Sequence, residues 1–276
     1  MMNNPYSKIT MLGTGNAMCV RCYNTCFCLH TPQSLLMVDG GGGNGIFKQL
    51  HRARIAYEDI HHLFVTHTHT DHIMGVIWMI RKISPLIHKG KFQGTLTIYG
   101  HDEACEALLT MCKLMLNEQI MSAVGREIVI REVTDGEHIE FDDLAIDCFD
   151  IGSTKKKQFG FAATLPDGQR VVCLGDEPYN VRNERYVRDC DWLLCEAFCM
   201  YRDRAQFRPY EKHHSTVVDA GKLAQELGVK NLLLYHTEDT RLMSRRENYS
   251  AEARTVFTGN IYVPMDLETV DLMYNS

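Results

Sequence analysis

Short apolar runs, rich in β-branched residues and bounded by turn formers, recur along the whole 276-residue chain. The clearest are Lys8 to Leu12, Leu35 to Val38, Leu63 to Thr66, Thr95 to Tyr99, Leu144 to Phe149, Val171 to Leu174, Trp192 to Leu194 and Leu232 to Tyr235. Runs this short suit buried strands and are too brief for helices. Between them lie helical patterns. Cys105, Leu108, Leu109, Cys112, Met115 and Leu116 recur at three- and four-residue steps, which predicts a helix with Asp102 as its N-cap. A second helix is expected from after Ser215 to Gly228, and a third from about Ile46 to Arg54. Strands alternating with helices over short connections give a layered α/β protein. No repeat, linker or shift in composition marks a boundary, so one domain spanning 1–276 is expected.

Composition narrows the function classes. With 45% hydrophobic and 23% charged residues the chain is an ordinary globular sequence. It has no apolar run near the ~18 residues of a membrane helix. Met1 to Lys8 is polar and lacks the apolar core of a secretory signal. A net charge of -6 disfavours general nucleic-acid binding, which favours basic surfaces. Eleven cysteines, an odd count spread through apolar runs, fit free thiols and a cytoplasmic location.

The chemistry concentrates in Thr66-His67-Thr68-His69-Thr70-Asp71-His72, directly after the run Leu63-Phe64-Val65. Imidazole and carboxylate are the ligands of zinc and related divalent metals, and a strand end followed by a turn can converge them. Elsewhere in the chain, Asp39, Asp176 and His236 each follow an apolar run.

The His-x-His-x-Asp-His pattern resembles the signature of the metallo-β-lactamase superfamily. Within it the chain is most similar to ribonuclease Z and its phosphodiesterase relatives. That likeness rests on Met11-Leu12-Gly13-Thr14-Gly15-Asn16, Cys195-Glu196-Ala197-Phe198, His214-Ser215-Thr216 and Gly228-Val229-Lys230-Asn231-Leu232. The resemblance implies a four-layer αββα sandwich with two mixed sheets and outer helices. It implies two divalent metal ions, zinc first and manganese or iron as alternatives. His67 and His69 would hold one metal, Asp71, His72 and His236 the other, with Asp176 bridging. Asp71 is also expected to be catalytic. Asp39 would orient the metal loop without ligating, and Glu196 with His214 would transfer a proton. The implied activity is metal-dependent hydrolysis of a small phosphodiester or short nucleic acid by a metal-activated hydroxide. By analogy a homodimer is expected. The alternatives are a lactonase or thioesterase on the same fold, an iron redox enzyme, or a binding protein with a degenerate site.

Two departures bear on this. No histidine occurs between His138 and His213, where relatives carry another ligand, so the His67/His69 half would bind its metal more weakly than the other, or rely on water, Asp150 or a further ligand. Gly160 reaches Gly175 through one hairpin turning at Asp167-Gly168, leaving no room for the tRNA-gripping arm of ribonuclease Z. Cys19, Cys22, Cys26 and Cys28 form a dense cluster, read chiefly as packing and secondarily as a zinc or redox group. Lys155, Lys156 and Lys157 form a solvated loop that could attract phosphate, and His61 and His62 are expected to face solvent.

Overall fold

The computed structural model describes residues 6–273. The chain divides into two compact units assembled from separated stretches. Among the described residues, the first unit comprises 6–13, 23–134 and 266–273, and the second 14–22 and 135–265.

The first unit holds a seven-stranded sheet ordered β14-β1-β2-β3-β4-β5-β6. These are β1 (Lys8–Gly13), β2 (Cys26–His30), β3 (Leu35–Val38), β4 (His62–Phe64), β5 (Leu96–Gly100), β6 (Ile128–Glu132) and β14 (Thr269–Asp271). From β14 to β3 neighbours are antiparallel; from β3 to β6 they are parallel. Parallel neighbours need long crossovers, which α1 (Gly45–Ala53), α2 (Thr70–His88) and α3 (Asp102–Met115) supply. The four-residue α4 (Glu118–Met121) follows. The core gathers Met37, Leu63, Val65, Val76, Ile80 and Ile98 from strands and helices.

The second unit holds a sheet ordered β13-β12-β11-β10-β9-β8-β7. Here β7 (His138–Phe141), β8 (Leu144–Asp150), β9 (Phe159–Thr164) and β10 (Arg170–Cys173) form an antiparallel meander. Then β11 (Trp192–Glu196), β12 (Asn231–Tyr235) and β13 (Asn260–Tyr262) run parallel to β10. Its helices are the single turns α5 (Glu184–Val187) and α6 (Arg204–Phe207), then α7 (Val217–Glu226) and α8 (Arg245–Ala253). Leu193, Leu232, Leu234, Val217 and Tyr249 lie at the core. The β9–β10 turn is the expected tight one: Leu165 N donates to Gln169 O at 2.9 Å, and Gly168 takes φ +85°. No helix among the described residues is long and apolar enough to cross a membrane.

Several local expectations need correction. The N-cap of α3 is His101, whose Nδ1 accepts from Ala104 N; Asp102 is already helical. The stretch after the His-rich motif is not only a turn, because Asp71 and His72 lie in the first turn of the 19-residue α2. His61 and His62 are half-buried rather than solvated: His61 Nδ1 meets Thr95 O at 3.2 Å and His62 Nδ1 meets Tyr99 Oη at 3.2 Å.

Candidate metal and catalytic residues

The donors of the first unit sit at the C-terminal ends of its parallel strands, where ligands of open α/β sheets gather. Asp39 follows β3 and takes φ +56°, a conformation that costs a non-glycine residue strain and so marks an imposed geometry. Its carboxylate organises the loop. Oδ1 accepts from Thr66 N at 2.8 Å, and Oδ2 accepts from Thr66 Oγ1 at 2.7 Å and from His72 Nδ1 at 2.7 Å. These bonds fix two tautomers. The Thr66 hydroxyl spends its proton on Asp39, so it can only accept from His67 Nδ1, 2.9 Å away. His67 and His72 therefore both carry hydrogen on Nδ1, which leaves Nε2 of each as the nitrogen that can ligate. This carboxylate-backed arrangement is how metal-ligating imidazoles are held.

The rings converge. His67 lies 4.5 Å from His69 and 4.2 Å from His72 between centroids. His67, Asp71 and His72 are buried, and His69 is half-buried. Asp71 Oδ2 lies 3.4 Å from His72 Nε2. Burial works against charge on His72, but Asp71 and Asp39 outweigh it and push its pKa well above the ordinary value. Two carboxylates around one buried imidazole demand a cation there, which a divalent metal can supply in place of the proton.

Helix α2 is held to this loop by backbone contact. Gly40 N donates to His72 O at 2.8 Å and Gly75 N to Gly41 O at 2.8 Å. A Cβ on Gly75 would stand 1.8 Å from Gly40 O, and one on Gly40 2.4 Å from Val76 N, so neither segment has room for a side chain.

The second unit gathers the other expected residues at its own strand ends. Asp176 follows β10, Glu196 ends β11, and His236 follows β12 in the left-handed region at φ +56°. His236 Nε2 lies 3.6 Å from Asp176 Oδ2, and its ring lies 5.1 Å from that of His214. One ligand atom from each of Asp176, His214 and His236 lies within 4.8 Å of the others, and all three are buried. Nitrogen and carboxylate oxygen at this spacing suit zinc and its neighbours.

Behind them stands the expected proton-transfer pair. His214 Nδ1 is 3.6 Å from Glu196 Oε2, and Glu196 Oε1 accepts from Ser215 N. The His214 ring stacks on Phe198 with centroids 4.9 Å apart. A cavity of about 300 Å³ opens at His214, lined also by Gly152, Thr154, Glu177, Tyr179 and Tyr210.

Other residues fall elsewhere. Asp150 accepts from Gly152 N at 2.7 Å and lies 4.0 Å from Arg182 Nη2, and it joins no donor cluster among the described residues. Lys155 reaches Glu177 at 3.6 Å and Lys212 O at 3.1 Å, so it is engaged rather than freely solvated. Cys26 and Cys28 pack into the first unit's core, while Cys19 and Cys22 belong to the second unit.

Two supporting residues have no sequence signal. Gln158, fully buried, donates through Nε2 to Asp176 Oδ1 and accepts through Oε1 from Asp176 N. It clasps the aspartate from the residue just before β9. Arg245, 1% exposed, binds Thr237 Oγ1 at 2.5 Å, Thr14 Oγ1 at 2.9 Å and Pro264 O at 2.8 Å. It fixes the residue after His236.

Comparison with known proteins places this geometry. The family model described as the anti-Pycsar protein Apyc1 matches residues 7–259. The chain belongs to that family. It is similar to ribonuclease Z of Archaeoglobus fulgidus, 24% identical over 92% of this chain and 94% of that protein. In structure it is similar to YhfI of Bacillus subtilis, a metallo-β-lactamase fold protein, with TM-score 0.78 and 19% identity over 96% of this chain and 99% of that one. The short form of human tRNase Z gives TM-score 0.74 at 19% identity, over 96% and 99% of the two chains. The fold is therefore the α/β type of the metallo-β-lactamases, and the expected kinship with ribonuclease Z is borne out.

Proposed function

We propose that this protein is a metal-dependent phosphodiesterase acting on small phosphodiesters or short nucleic-acid ends. The observation that carries the reading is the second unit's buried Asp176–His214–His236 group with Glu196 directly behind His214. A hydrolase needs both an electrophilic centre and a proton donor, and this group offers donors for the first beside a candidate for the second. His67, His69, Asp71 and His72 in the first unit, and Asp176 and His236 in the second, are the proposed ligands. Zinc suits this nitrogen and oxygen set, with manganese or iron as alternatives, and two ions are proposed. A bound divalent metal supplies Lewis acidity and lowers the pKa of water.

The chain's own residues do the rest. Asp39 holds the His72 ring by Nδ1, and Thr66 holds that of His67, so neither imidazole needs to reorganise. Gln158 holds Asp176 in place. Glu196 Oε2 faces His214 Nδ1, leaving His214 Nε2 to pass a proton to the leaving-group oxygen. Stacking on Phe198 keeps that ring plane fixed. The cavity at His214 is at the small end of ligand sites, which fits a small ester better than a folded RNA. The hairpin between β9 and β10 carries no arm for tRNA.

Metal content and turnover of bis(p-nitrophenyl) phosphate test the reading together. Chelation should abolish turnover, and added zinc should restore it with metal bound to the chain. Turnover indifferent to chelation, or cleavage of lactones in place of phosphodiesters, would overturn it.

A further inference from the structure

Cys19 and Cys22 belong to neither donor group above. They lie on the turn after Gly15-Asn16, and Asp239 approaches them from the loop after β12. One ligand atom from each of the three lies within 4.8 Å of the others, and all three residues are half-buried. The sulfurs meet over a glycine. A Cβ on Gly15 would stand 2.6 Å from Cys22 Sγ and 2.8 Å from Cys19 Sγ, so any other residue would push the two thiols out of place. Asp239 is held where it can join them: Oδ2 accepts from Val20 N at 2.7 Å and Arg21 N at 2.6 Å. One side of the group opens on a cavity of about 200 Å³ that Cys19 and Asp239 help to line.

We propose that Cys19, Cys22 and Asp239 bind a zinc-class divalent cation, at a site separate from the histidine-rich donors, with water in the fourth position. Two sulfurs and one carboxylate oxygen form a borderline-soft donor set of the kind zinc takes tetrahedrally. Zinc–sulfur bonds of about 2.3 Å put ligand atoms roughly 4 Å apart, within the spread found here. Binding exchanges two thiol protons for the cation: both leave to solvent, both sulfurs stay as thiolates, and no electron moves.

The site has a structural consequence close by. Thr237 O accepts from Asn16 N at 3.0 Å, Asn16 Nδ2 at 3.1 Å and Cys19 Sγ at 3.1 Å. Cation binding takes the Cys19 thiol proton and ends the Sγ bond, but the two Asn16 bonds still tie the cysteine turn to the residue that follows His236. A cation locking the turn braces that strand end.

Cobalt substitution tests this without using activity. Metal-stripped, fully reduced protein, with all eleven thiols confirmed by titration, is loaded with Co²⁺. A near-ultraviolet thiolate-to-cobalt charge-transfer band should appear, which imidazole and carboxylate donors cannot give. The C19S/C22S double variant should lose the band and one equivalent of metal per chain while keeping the visible cobalt bands of the histidine-rich donors. D239N, which leaves both thiols, should keep the band and weaken cobalt affinity at least tenfold. Absence of the band in reduced protein at saturating cobalt would overturn the proposal, as would a band that survives in C19S/C22S. So would recovery of the protein with nine titratable thiols and a Cys19–Cys22 disulfide that no added metal prevents.

Discussion

Replacing His214 by alanine separates proton delivery from metal binding, two roles that its position permits. The imidazole lies 3.6 Å from Glu196 Oε2, the contact on which the proposed proton transfer rests, yet it also shares a 4.8 Å donor group with Asp176 and His236. As a proton donor, His214→Ala should leave metal content unchanged. It should lower kcat/KM on a dialkyl phosphodiester by ~10²–10⁴, equal to roughly 3–5 kcal/mol of transition-state stabilisation. On a p-nitrophenyl ester the deficit should shrink to within about tenfold, since p-nitrophenolate departs without a proton. Loss of the Phe198 stack costs stability separately, about 0.5–1.5 kcal/mol, or a fall of a few degrees in Tm for a chain of this size. Glu196→Gln keeps a carbonyl oxygen for Ser215 N and loses only the charge facing Nδ1, so its defect should be smaller. The double variant should be little worse than His214→Ala alone, because residues acting as a unit are not additive. The assay pairs steady-state kinetics on the two esters with metal analysis of each variant. A His214→Ala protein that has lost a metal equivalent refutes the reasoning, and so does one equally impaired on both esters.

Three further outcomes follow from the structure. Gly75→Ala places a methyl 1.8 Å from Gly40 O with backbone on both sides, so denaturant unfolding should show a loss above ~4 kcal/mol; a loss under ~1 kcal/mol would mean that the α2 contact yields freely. Burial, aided by the charge of Lys8, lowers the His30 pKa from 6.5 to about 4, so the folded state resists a proton that the unfolded chain accepts. Its contribution is whole above pH 6.5 and is lost as pH falls toward 4, by roughly 1–3 kcal/mol; His30→Gln should flatten that stretch of the stability–pH curve, and an unchanged curve counts against it. Precursor tRNA should bind more weakly than about 1 μM at physiological salt, with a steep salt dependence, and sub-micromolar binding with accurate 3′ cleavage would contradict the reading from the armless hairpin and the net charge of -6.

Strand ends were the most legible part of the chain. Leu35 to Val38 was located to the residue, and the donors after β3, β4, β10 and β12 are found where those runs stop. Local chemistry supplies that signal, since an apolar run followed at once by Asp or His is visible in one dimension. Helix α2 was not visible for the opposite reason. Its buried residues, from Asp71 to Ser84, occupy most of its circumference, so no polar face sets a helical period, and Gly75 and Pro85 read as breakers. Helix α8 failed from the other side: Arg245-Arg246-Glu247-Asn248 is polar throughout, and only the fold reveals that Arg245 is buried. Gln158 and the His101 cap belong to the same class. Each matters through a partner brought close by the tertiary structure, and no spacing rule encodes that partner.

The pairing of β1 with β14 sets a timetable for biosynthesis. Lys8 lies opposite Asp271, about 260 residues later in the chain. Translation at roughly 5–20 residues per second separates the two by about ten seconds to a minute. Through that interval β1 can pair with β2 on one side, while its other edge offers unpaired donors and acceptors to any strand nearby. Residues 14–22 wait almost as long, because Gly15 bridges to Thr237. Each unit therefore stays open at its first-made segment until its last-made one arrives. A ribosome stalled short of residue 269 releases a chain whose β1 edge is a template for aggregation, and chaperone demand should peak late in synthesis.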